Sequence, residues 1–382
     1  MKTLKNKRDF CPVCESEKKE HLYTLKEMPI YFGCSDKASE VKNDQTYVIC
    51  KNCSCIYIEE LINLDLLYSD NHNSDVVGET WKKHYQTFYN FIFSDKFPKE
   101  RVKVFEIGDP SAKLASLCTL DEKVSSWVIL EPSKNLKKKL TSKISYINDW
   151  YKEKYVKDLK YDLIIMSHVF EHLQDPKLVF DSLYATTKEE TVIYLSVPNL
   201  QEILYNKKMS PAGLHFEHTF YYDTSLLENF FRATGWLMEK CEDYKNHSIF
   251  IKLKKSNEKQ NEFKYSDQNK SLFIDSIHEM KIKVYKINDD ISEYTNEIYL
   301  YGAHIQSQIM LNLGLKQEKI KNILDNSKQK QQKRLYGTNL IVKNPVQELS
   351  TEKECMVICH MGHYTEEIKE ELLKVNPKVR FV

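Results

Sequence analysis

The sequence predicts an α/β protein with a small N-terminal zinc-binding module, a central doubly wound Rossmann-like domain and a smaller C-terminal Rossmann-like domain. Three observations lead to this prediction. The chain has 382 residues, which is more than one ordinary domain needs. Closely spaced cysteine pairs lie near its start. Beyond them, strand-like and helix-like segments alternate in two separate regions of the chain.

Composition and charge place the chain among folded, globular proteins. Hydrophobic residues make up 41% and charged residues 29%, both ordinary values for this class. The 56 basic residues nearly balance the 55 acidic ones, so no global field attracts nucleic acid or an anionic membrane. The first residues are polar, and the sequence has no apolar run of about 18 residues. We therefore expect a cytoplasmic protein that binds neither nucleic acid nor membrane.

The N-terminal module is predicted over residues 1–60, which contain six of the ten cysteines. Two C-x2-C pairs lie among them, namely Cys11 with Cys14 and Cys50 with Cys53. Four thiolates in this pattern suit a closed tetrahedral zinc site, which stabilises a fold and leaves no position open for catalysis. Cys34 and Cys55 leave the fourth ligand open, and four unrelated buried thiols are the alternative interpretation.

A helical lead-in is predicted over residues 61–99, followed by the central domain over 100–255. The predicted strands of that domain are Val102–Ile107, Trp127–Leu130, Asp162–Met166 and Val192–Val197. The predicted helices between them are Lys113–Leu120, Lys134–Leu140 and Pro176–Tyr184. Strands that alternate with helices imply right-handed crossovers and a parallel sheet covered on both faces.

A linker and a helix are predicted over residues 256–296, and the C-terminal domain over 297–382. The polar stretch near 255–270 lacks apolar periodicity, whereas residues from about 272 to 290 have it. A second, shorter alternation of strands and helices then begins at Ile298. It predicts a smaller unit of the same Rossmann-like type.

Acidic residues and a glycine end the predicted strands of the central domain. Glu106 and Gly108 end the first strand, and Glu131 ends the second. This edge of a doubly wound sheet is where nucleotides bind, and Glu131 is placed to accept hydrogen bonds from two ribose hydroxyls. Asp149 is a candidate contact of an adenine edge, and Ser167 ends the next strand beneath the same pocket. The sequence therefore predicts a site for an adenosyl cofactor.

The turn that follows Gly108 is unusual for such a site. It runs from Asp109 to Ala112 and lacks the further glycines that usually permit close approach of the backbone to a ligand. Solvated strand-end carboxylates are the alternative interpretation of Glu131 and Asp149. For Glu106 the alternative is a partner of a helix N-terminus.

Several motifs occur in an order that carries a resemblance to a known family. Besides the paired cysteines, the first of them are Phe105-Glu-Ile-Gly108, Leu130-Glu-Pro-Ser133, Ser167-His-Val-Phe-Glu-His-Leu173, Val197-Pro-Asn199 and His215-Phe-Glu-His218. The C-terminal ones are Tyr301-Gly-Ala303, Ile323-Leu-Asp-Asn-Ser-Lys328 and Tyr336-Gly-Thr338. In this order they resemble the sugar C-methyltransferases over nearly the whole chain.

The resemblance implies an S-adenosylmethionine-dependent methyltransferase with a structural zinc. It implies a nucleotide-linked 4-keto sugar between the central and C-terminal domains, methylated at the carbon beside the ketone. By the same resemblance, His218 removes the α-proton, and Glu217 orients His218 or binds the sugar. His215 stands where family members often carry tyrosine, and His168 where several carry asparagine. Both are candidate catalytic residues, and these departures leave a hydroxyl or amine acceptor open.

Candidate substrate contacts complete the predicted site. Tyr222 follows the histidine motif, although packing is the alternative role for its ring. Gly302, Asp325 and Gly337 form a candidate nucleotide platform, because the glycines fall after a strand and within a loop. Two other functions stay open: an O- or N-methyltransferase, and a non-catalytic binding protein that kept the fold. We expect a monomer or a small homo-oligomer.

Overall fold

The computed structural model describes residues 5–35, 40–68, 79–94, 97, 100–133, 141–157, 160–205, 213–350, 353–362 and 365–382. Within these ranges the chain forms a small antiparallel N-terminal sheet, a seven-stranded central sheet and a five-stranded C-terminal sheet. This arrangement confirms the predicted α/β class. None of the described helices is long and apolar enough to cross a membrane. The predicted helix 134–140 lies outside the described residues.

The N-terminal module is built from six short strands. They are β1 (Lys5–Lys7), β2 (Lys19–Pro29), β3 (Cys34–Ser35), β4 (Lys42–Cys50), β5 (Ile56–Ile58) and β6 (Glu60–Ile62). Strands β2, β4 and β5 pair antiparallel, and the apolar end of β4, from Tyr47 to Cys50, is buried on both faces. The Tyr47 ring contacts Phe273 of a later helix at 5.1 Å between ring centroids.

Four cysteine sulfurs converge at one end of this module. The sulfurs of Cys11, Cys14, Cys50 and Cys53 all lie within 4.8 Å of one another. The two further cysteines of the module have other neighbours. The Cys55 thiol faces the carbonyl oxygen of Tyr221 at 3.7 Å, and the Cys34 thiol faces that of Ala303 at 3.9 Å. The geometry therefore groups the four thiols of the paired cysteines.

The helical lead-in contains α1 (Leu64–Leu67) and α2 (Glu79–Phe93). Helix α2 places an aromatic face on the central sheet, because Phe88 and Phe91 recur at helical spacing and are buried. The Phe88 ring lies 4.9 Å from that of Phe250, and the Phe91 ring lies 6.0 Å from that of Tyr194. This helix thus covers one face of the central domain.

The central sheet is parallel except at one edge. Its strands are β7 (Val102–Ile107), β8 (Val124–Leu130), β9 (Ile144–Ile147), β10 (Leu163–Ser167), β11 (Val192–Pro198), β13 (Trp236–Tyr244) and β14 (Ser248–Lys255). They lie in the order β13-β14-β11-β10-β7-β8-β9, with β13 and β14 as an antiparallel hairpin added beside β11. The connecting helices are α3 (Lys113–Cys118), α4 (Lys154–Lys157), α5 (Pro176–Thr186), α6 (Leu200–Tyr205) and α7 (Thr224–Ala233).

The central domain is joined to the N-terminal module through shared sheets. Strand β12 (Phe220–Tyr221) lies in the central region of the sequence but pairs with β5 of the module. In the same way, strand β17 (Arg334–Leu335) of the C-terminal region pairs with β3. The module is therefore tied to both larger domains by backbone hydrogen bonds.

The C-terminal domain follows the long helix α8 (Asp267–Ser292) and has a wholly parallel sheet. Its strands are β15 (Ile298–Tyr301), β16 (Asn322–Leu324), β18 (Val342–Lys343), β19 (Cys355–Ile358) and β20 (Val379–Phe381), in the order β18-β16-β15-β19-β20. Its helices are α9 (Ile305–Asn312), α10 (Pro345–Leu349) and α11 (Thr365–Val375). This is the smaller Rossmann-like unit that the sequence predicts.

The turn after β7 brings Gly108 close to Val169, and residues 109–112 of this turn contain no further glycine. Gly108 has a φ of +74°, and a Cβ atom at this position would lie 2.6 Å from Cγ2 of Val169. Ala112, just before α3, has a φ of +48°, in the left-handed region that residues with a side chain rarely adopt. Ala112 thus adopts a backbone conformation that glycine would adopt without strain.

We predict that Gly108→Ala lowers the free energy of unfolding more than Gly314→Ala does. Both positions have positive φ, so each substitution introduces backbone strain of about 1–2 kcal/mol. Only at Gly108 does the new methyl overlap a neighbour, since no atom lies within 4 Å of the Cβ position at Gly314. Overpacking adds about 1–3 kcal/mol there. Urea unfolding measures both variants, and equal losses would contradict the close contact with Val169.

Candidate functional site

The strand order of the central sheet has a switch point of the kind at which nucleotides bind. Strand β7 lies between β8 and β10. From β7 the chain continues to β8 and β9 on one side of it, and then crosses to β10 on the other side. In such sheets ligands bind at the carboxyl ends of the strands, where the strand order reverses. Glu106, Glu131 and Ser167 all lie at this edge, at or directly after the ends of β7, β8 and β10.

Glu106 is fully buried at the end of β7. Its Oε2 atom accepts a hydrogen bond of 2.7 Å from the indole nitrogen of Trp127, and Oε1 has no hydrogen-bond partner among the described residues. Burial raises the pKa of this carboxyl well above its ordinary value. Glu106 is therefore a desolvated acceptor and not a solvated carboxylate at a strand end.

Glu131 is buried at the end of the neighbouring strand. Its Oε1 atom accepts a hydrogen bond of 2.8 Å from the backbone nitrogen of Ser133, and Asn148 donates to its backbone oxygen at 3.0 Å. Burial raises the pKa of Glu131 to about 7. Glu131 is therefore a buried carboxyl at the strand end, and its contact with ribose hydroxyls stays a prediction.

Asp149 differs from these two buried acids because it is partly exposed and already well bonded. Its carboxylate accepts hydrogen bonds from Lys152 at 2.6 Å, from the backbone nitrogen of Trp150 at 2.8 Å and from the Tyr155 hydroxyl. The hydrogen bond from Lys152 is the main cause that lowers the pKa of Asp149 to about 2. Asp149 stays ionised at neutral pH, and its contact with adenine stays a prediction.

Ser167 and His168 end β10 beside this pocket. His168 has a φ of +54°, so the backbone turns sharply as it leaves the strand. Its Nε2 atom lies 3.0 Å from the Ser248 hydroxyl on β14, and burial lowers the pKa of His168 to about 3. The imidazole is therefore neutral at physiological pH.

A second group of titratable residues lies next to His168. The tight turn from His215 to His218 is closed by a backbone hydrogen bond of 3.2 Å, and it brings the two imidazole centroids to 3.9 Å from each other. Burial lowers the pKa of His218 to about 3. The ring of His172 lies 5.1 Å from that of His218. The structure thus gathers three histidines around one point.

Carboxyl groups face these histidines. A short 3-10 turn, Phe170–His172, follows β10 and places Glu171 inside the protein, where burial raises its pKa to about 7. The Glu171 oxygens have no hydrogen-bond partner among the described residues, and Oε1 lies 3.5 Å from His168 Nδ1 and 3.7 Å from His172 Nε2. Glu217 lies on the other side, with Oε2 at 3.7 Å from His172 Nδ1.

The backbone that carries His218 is fixed from two directions. The nitrogen of Thr219 donates to the carbonyl oxygen of Glu171 at 2.9 Å, which joins the histidine turn to the 3-10 turn. Buried Arg8, from the N-terminal module, donates to the carbonyl oxygen of Thr219 at 3.1 Å. The module therefore supports the candidate catalytic turn directly.

The predicted substrate residues Tyr222, Gly302 and Asp325 lie in two parts of the structure, the first beside Phe170 and the other two in the C-terminal domain. Tyr222 is buried, with its ring centroid 5.6 Å from that of Phe170, and its hydroxyl has no hydrogen-bond partner among the described residues. Gly302 and Asp325 lie together at the carboxyl edge of β15 and β16. Asp325 accepts a hydrogen bond of 2.9 Å from the nitrogen of Ala303 and contacts Lys330 at 3.0 Å.

Gly337 lies where the C-terminal domain contacts the N-terminal module. A Cβ atom at Gly337 would lie 2.6 Å from Cγ of Pro29, so this glycine permits the C-terminal domain to pack on the N-terminal module. The neighbouring Tyr336 nitrogen donates to the Gly33 oxygen of that module at 2.9 Å. The role of Gly337 in a nucleotide platform stays a prediction.

Sequence reasoning missed several residues of the histidine cluster. The hydroxyl of Tyr68 lies 3.1 Å from Nδ1 of His172, although 104 residues separate them in the chain. Glu171 and His172 belong to the motif Ser167–Leu173. Their position directly after the end of β10 is the sequence feature that indicates a functional role. No local pattern marks Tyr68, because its contact depends on the tertiary fold.

Comparison with solved structures finds matches at low identity. The complex of the Haloferax volcanii Trm112 methyltransferase activator with a putative methyltransferase matches at TM-score 0.35 and 11% identity, over 48% of this chain and 100% of that chain. PH0226 from Pyrococcus horikoshii OT3 matches at TM-score 0.37 and 14% identity, over 48% and 94%. Scores this low carry no functional conclusion. The comparison with curated proteins finds no match.

Family models give a clearer result. A model described as "Methyltransferase domain" matches residues 79–240, and one described as "C-methyltransferase C-terminal domain" matches residues 236–381. The two matches adjoin in the order that the resemblance implies, and they include the buried acids, the histidine turn and the C-terminal sheet. The chain therefore belongs to a C-methyltransferase family and is an S-adenosylmethionine-dependent methyltransferase.

Proposed function

We propose that the protein transfers a methyl group to a carbon atom of a nucleotide-linked 4-keto sugar, with His218 as the general base. The observation that carries this proposal is the cluster of three histidines beside the buried carboxyl of Glu171, in which burial favours the neutral imidazole of His218. The cluster follows the end of β10, at the same carboxyl edge of the central sheet as the buried Glu106 and Glu131. A base and a cofactor site in adjacent positions are what deprotonation followed by methyl transfer requires.

The strand-end acids fit S-adenosylmethionine, which supplies an electrophilic methyl group when bound. Glu131, which already orders the backbone at Ser133, is proposed to accept hydrogen bonds from the ribose hydroxyls. The orphan oxygen of Glu106 suits a cationic group such as the ammonium of the methionine moiety. Gly108 provides the close backbone approach, Asp149 is proposed at the adenine edge, and Ser167 lies beneath the pocket.

His218 is proposed to remove the proton from the carbon beside the ketone. A ketone acidifies this C–H bond, and a neutral imidazole can accept its proton. Burial opposes charge on His218, but one carboxylate oxygen of Glu171 lies within 4.8 Å of a ring nitrogen of His218. That proximity stabilises the imidazolium when it forms.

The neighbouring residues are proposed to position the base and the sugar. His215 packs on His218 and fixes its ring. Glu217 and Tyr68 both approach His172, so they orient this ring at the edge of the cluster. Gly302 and Asp325 are proposed to approach the nucleotide moiety, and Tyr222, buried against Phe170, contributes to the wall of the sugar site.

We predict that His218→Gln lowers methyl transfer by about 10²–10⁴-fold, the usual size of a general-base contribution. The measurement uses radiolabelled S-adenosylmethionine with a dTDP-linked 4-keto-6-deoxyhexose. The affinity for S-adenosylhomocysteine should not change, because His218 is not among the residues proposed to bind the cofactor. Calorimetric titration measures this affinity, and unchanged binding also shows that the variant is folded. The control is His278→Gln on the exposed face of α8. Full turnover in His218→Gln would remove this residue from the mechanism.

We also propose a structural zinc ion bound by Cys11, Cys14, Cys50 and Cys53. The Cys11–Cys53 and Cys14–Cys50 sulfur separations are 3.6 Å and 3.5 Å. A tetrahedron with Zn–S bonds of ~2.3 Å has edges of ~3.8 Å, close to these two separations, and all four sulfurs lie within 4.8 Å of one another. The backbone nitrogen of Asn52 lies 3.4 Å from the Cys50 sulfur, the type of contact that stabilises a zinc-bound thiolate.

We predict that Cys50→Ser lowers the zinc content and the melting temperature. Loss of one thiolate removes a ligand and much of the metal affinity, and the N-terminal module depends on that binding energy. Elemental analysis and calorimetry measure the two effects. Cys55→Ser is the matched control, because Cys55 is also buried and adjacent but lies outside the four-sulfur group. Stoichiometric zinc in Cys50→Ser would contradict the ligand assignment.

A further inference from the structure

A second line of polar groups leads from the histidine cluster towards the surface. The hydroxyl of buried Ser248 lies between two imidazoles, 3.0 Å from His168 Nε2 and 2.7 Å from His247 Nδ1. His247 lies in the turn between β13 and β14 and is partly exposed. On the inner side, His168 Nδ1 lies 3.5 Å from Glu171 Oε1. Ser248 thus joins two imidazoles through hydrogen bonds, and Glu171 lies close to His168 without a hydrogen bond to it.

The inner end of this line reaches the proposed base. A carboxylate oxygen of Glu171 and a ring nitrogen of His218 lie within 4.8 Å of each other. This gap is short enough for one bridging water molecule or a modest side-chain movement. The outer end, at His247, is partly exposed. No charged lysine or arginine of the described residues forms an ion pair with Glu171 or His168 that would block the line.

The proposed reaction creates a need for such a line. Each methyl transfer to carbon replaces one C–H bond by one C–C bond and leaves S-adenosylhomocysteine and one proton. The electron pair of the broken C–H bond forms the new bond, and the proton stays on His218. This proton must leave His218 and reach solvent before the next turnover.

We propose that Glu171, His168, Ser248 and His247 form a proton relay that carries the proton from His218 to solvent. This inference rests on the proposed function. Glu171 takes the proton from His218 and passes a proton to His168 Nδ1. His168 Nε2 then donates to the Ser248 oxygen, Ser248 donates to His247 Nδ1, and His247 releases a proton from Nε2 to water.

The local chemistry suits this sequence of transfers. The hydroxyl of Ser248 can accept one hydrogen bond while it donates another, which is what a link between two imidazoles requires. Because the proton moves by exchange of tautomers, His168 need not hold a net positive charge in its buried surroundings. Burial also raises the pKa of Glu171 to about 7, so this carboxyl can both take and give a proton at neutral pH.

The first test does not depend on turnover. If Ser248 links the two rings, one of His168 Nε2 and His247 Nδ1 carries a proton and the other does not. Nitrogen-15 NMR of the histidine-labelled protein at neutral pH distinguishes protonated from unprotonated ring nitrogens. We expect one of these two nitrogens to be protonated and the other unprotonated. In Ser248→Ala the protonation state of one nitrogen should no longer depend on that of the other. Two protonated or two unprotonated nitrogens in the wild-type protein would overturn the relay.

The second test is kinetic and uses a matched pair of buried serines. Ser248→Ala should lower kcat at least tenfold, leave KM and the affinity for S-adenosylhomocysteine unchanged, and regain rate with added imidazole buffer or in Ser248→Thr. Ser196→Ala is the control, because Ser196 is equally buried and lies 2.8 Å from His84 Nε2, off this line.

The outcomes separate the relay from the proposed function. Wild-type methyl transfer with an unchanged, buffer-independent rate in Ser248→Ala would contradict the relay alone. Absence of methyl transfer to the keto sugar by the wild-type protein would contradict the proposed function, and the relay with it.

Discussion

Desolvation of three carboxyl groups at one sheet edge is the constraint on which the site depends. Glu106, Glu131 and Glu171 are all buried, and their pKa values are raised chiefly by that burial. Among the described residues, none of them forms an ion pair with a lysine or arginine. Burying a carboxyl group in this way is costly unless a ligand or a proton compensates it. In the proposed site, the sulfonium and ammonium groups of S-adenosylmethionine offer that compensation, and the proton of the proposed relay offers it at Glu171.

The N-terminal module contributes to the site through the backbone. Strand β12, two residues after His218, completes a sheet of the module, and Arg8 holds the carbonyl oxygen of Thr219. Arg8 lies three residues before Cys11, so the four-thiol group and the histidine turn belong to one packed unit. Disturbing the thiols is therefore expected to loosen the turn that carries His218. This connection gives the proposed zinc ion a second role beyond folding of the module.

The local patterns of the chain predict much of this structure. Strand β7 has the bounds that its apolar run indicates, Val102–Ile107, and Glu106 and Glu131 lie where strand ends and crossovers place them. The paired cysteines group as their spacing predicts. Such features depend on neighbours in sequence or on the regular geometry of a parallel sheet, which a single sequence encodes.

Other features depend on contacts between distant segments and left no local signal. The pairing of β12 with β5 and the contact of Tyr68 with His172 arise only in the folded chain. The packing of Gly337 against Pro29 likewise has no local signal in the sequence. The antiparallel hairpin of β13 and β14 brings Ser248 and His247 to His168, and no motif in the sequence marks that hairpin.

Transfer of the methyl group to carbon is the central claim, and isotope labelling tests it most directly. The zinc-loaded protein is incubated with S-adenosylmethionine carrying a ¹³C-methyl group and with a dTDP-linked 4-keto-6-deoxyhexose, and the product is analysed by NMR. The account predicts a labelled methyl bonded to the carbon beside the ketone, shown by coupling to that carbon. A labelled methyl on oxygen or nitrogen, or no labelled sugar, would contradict it.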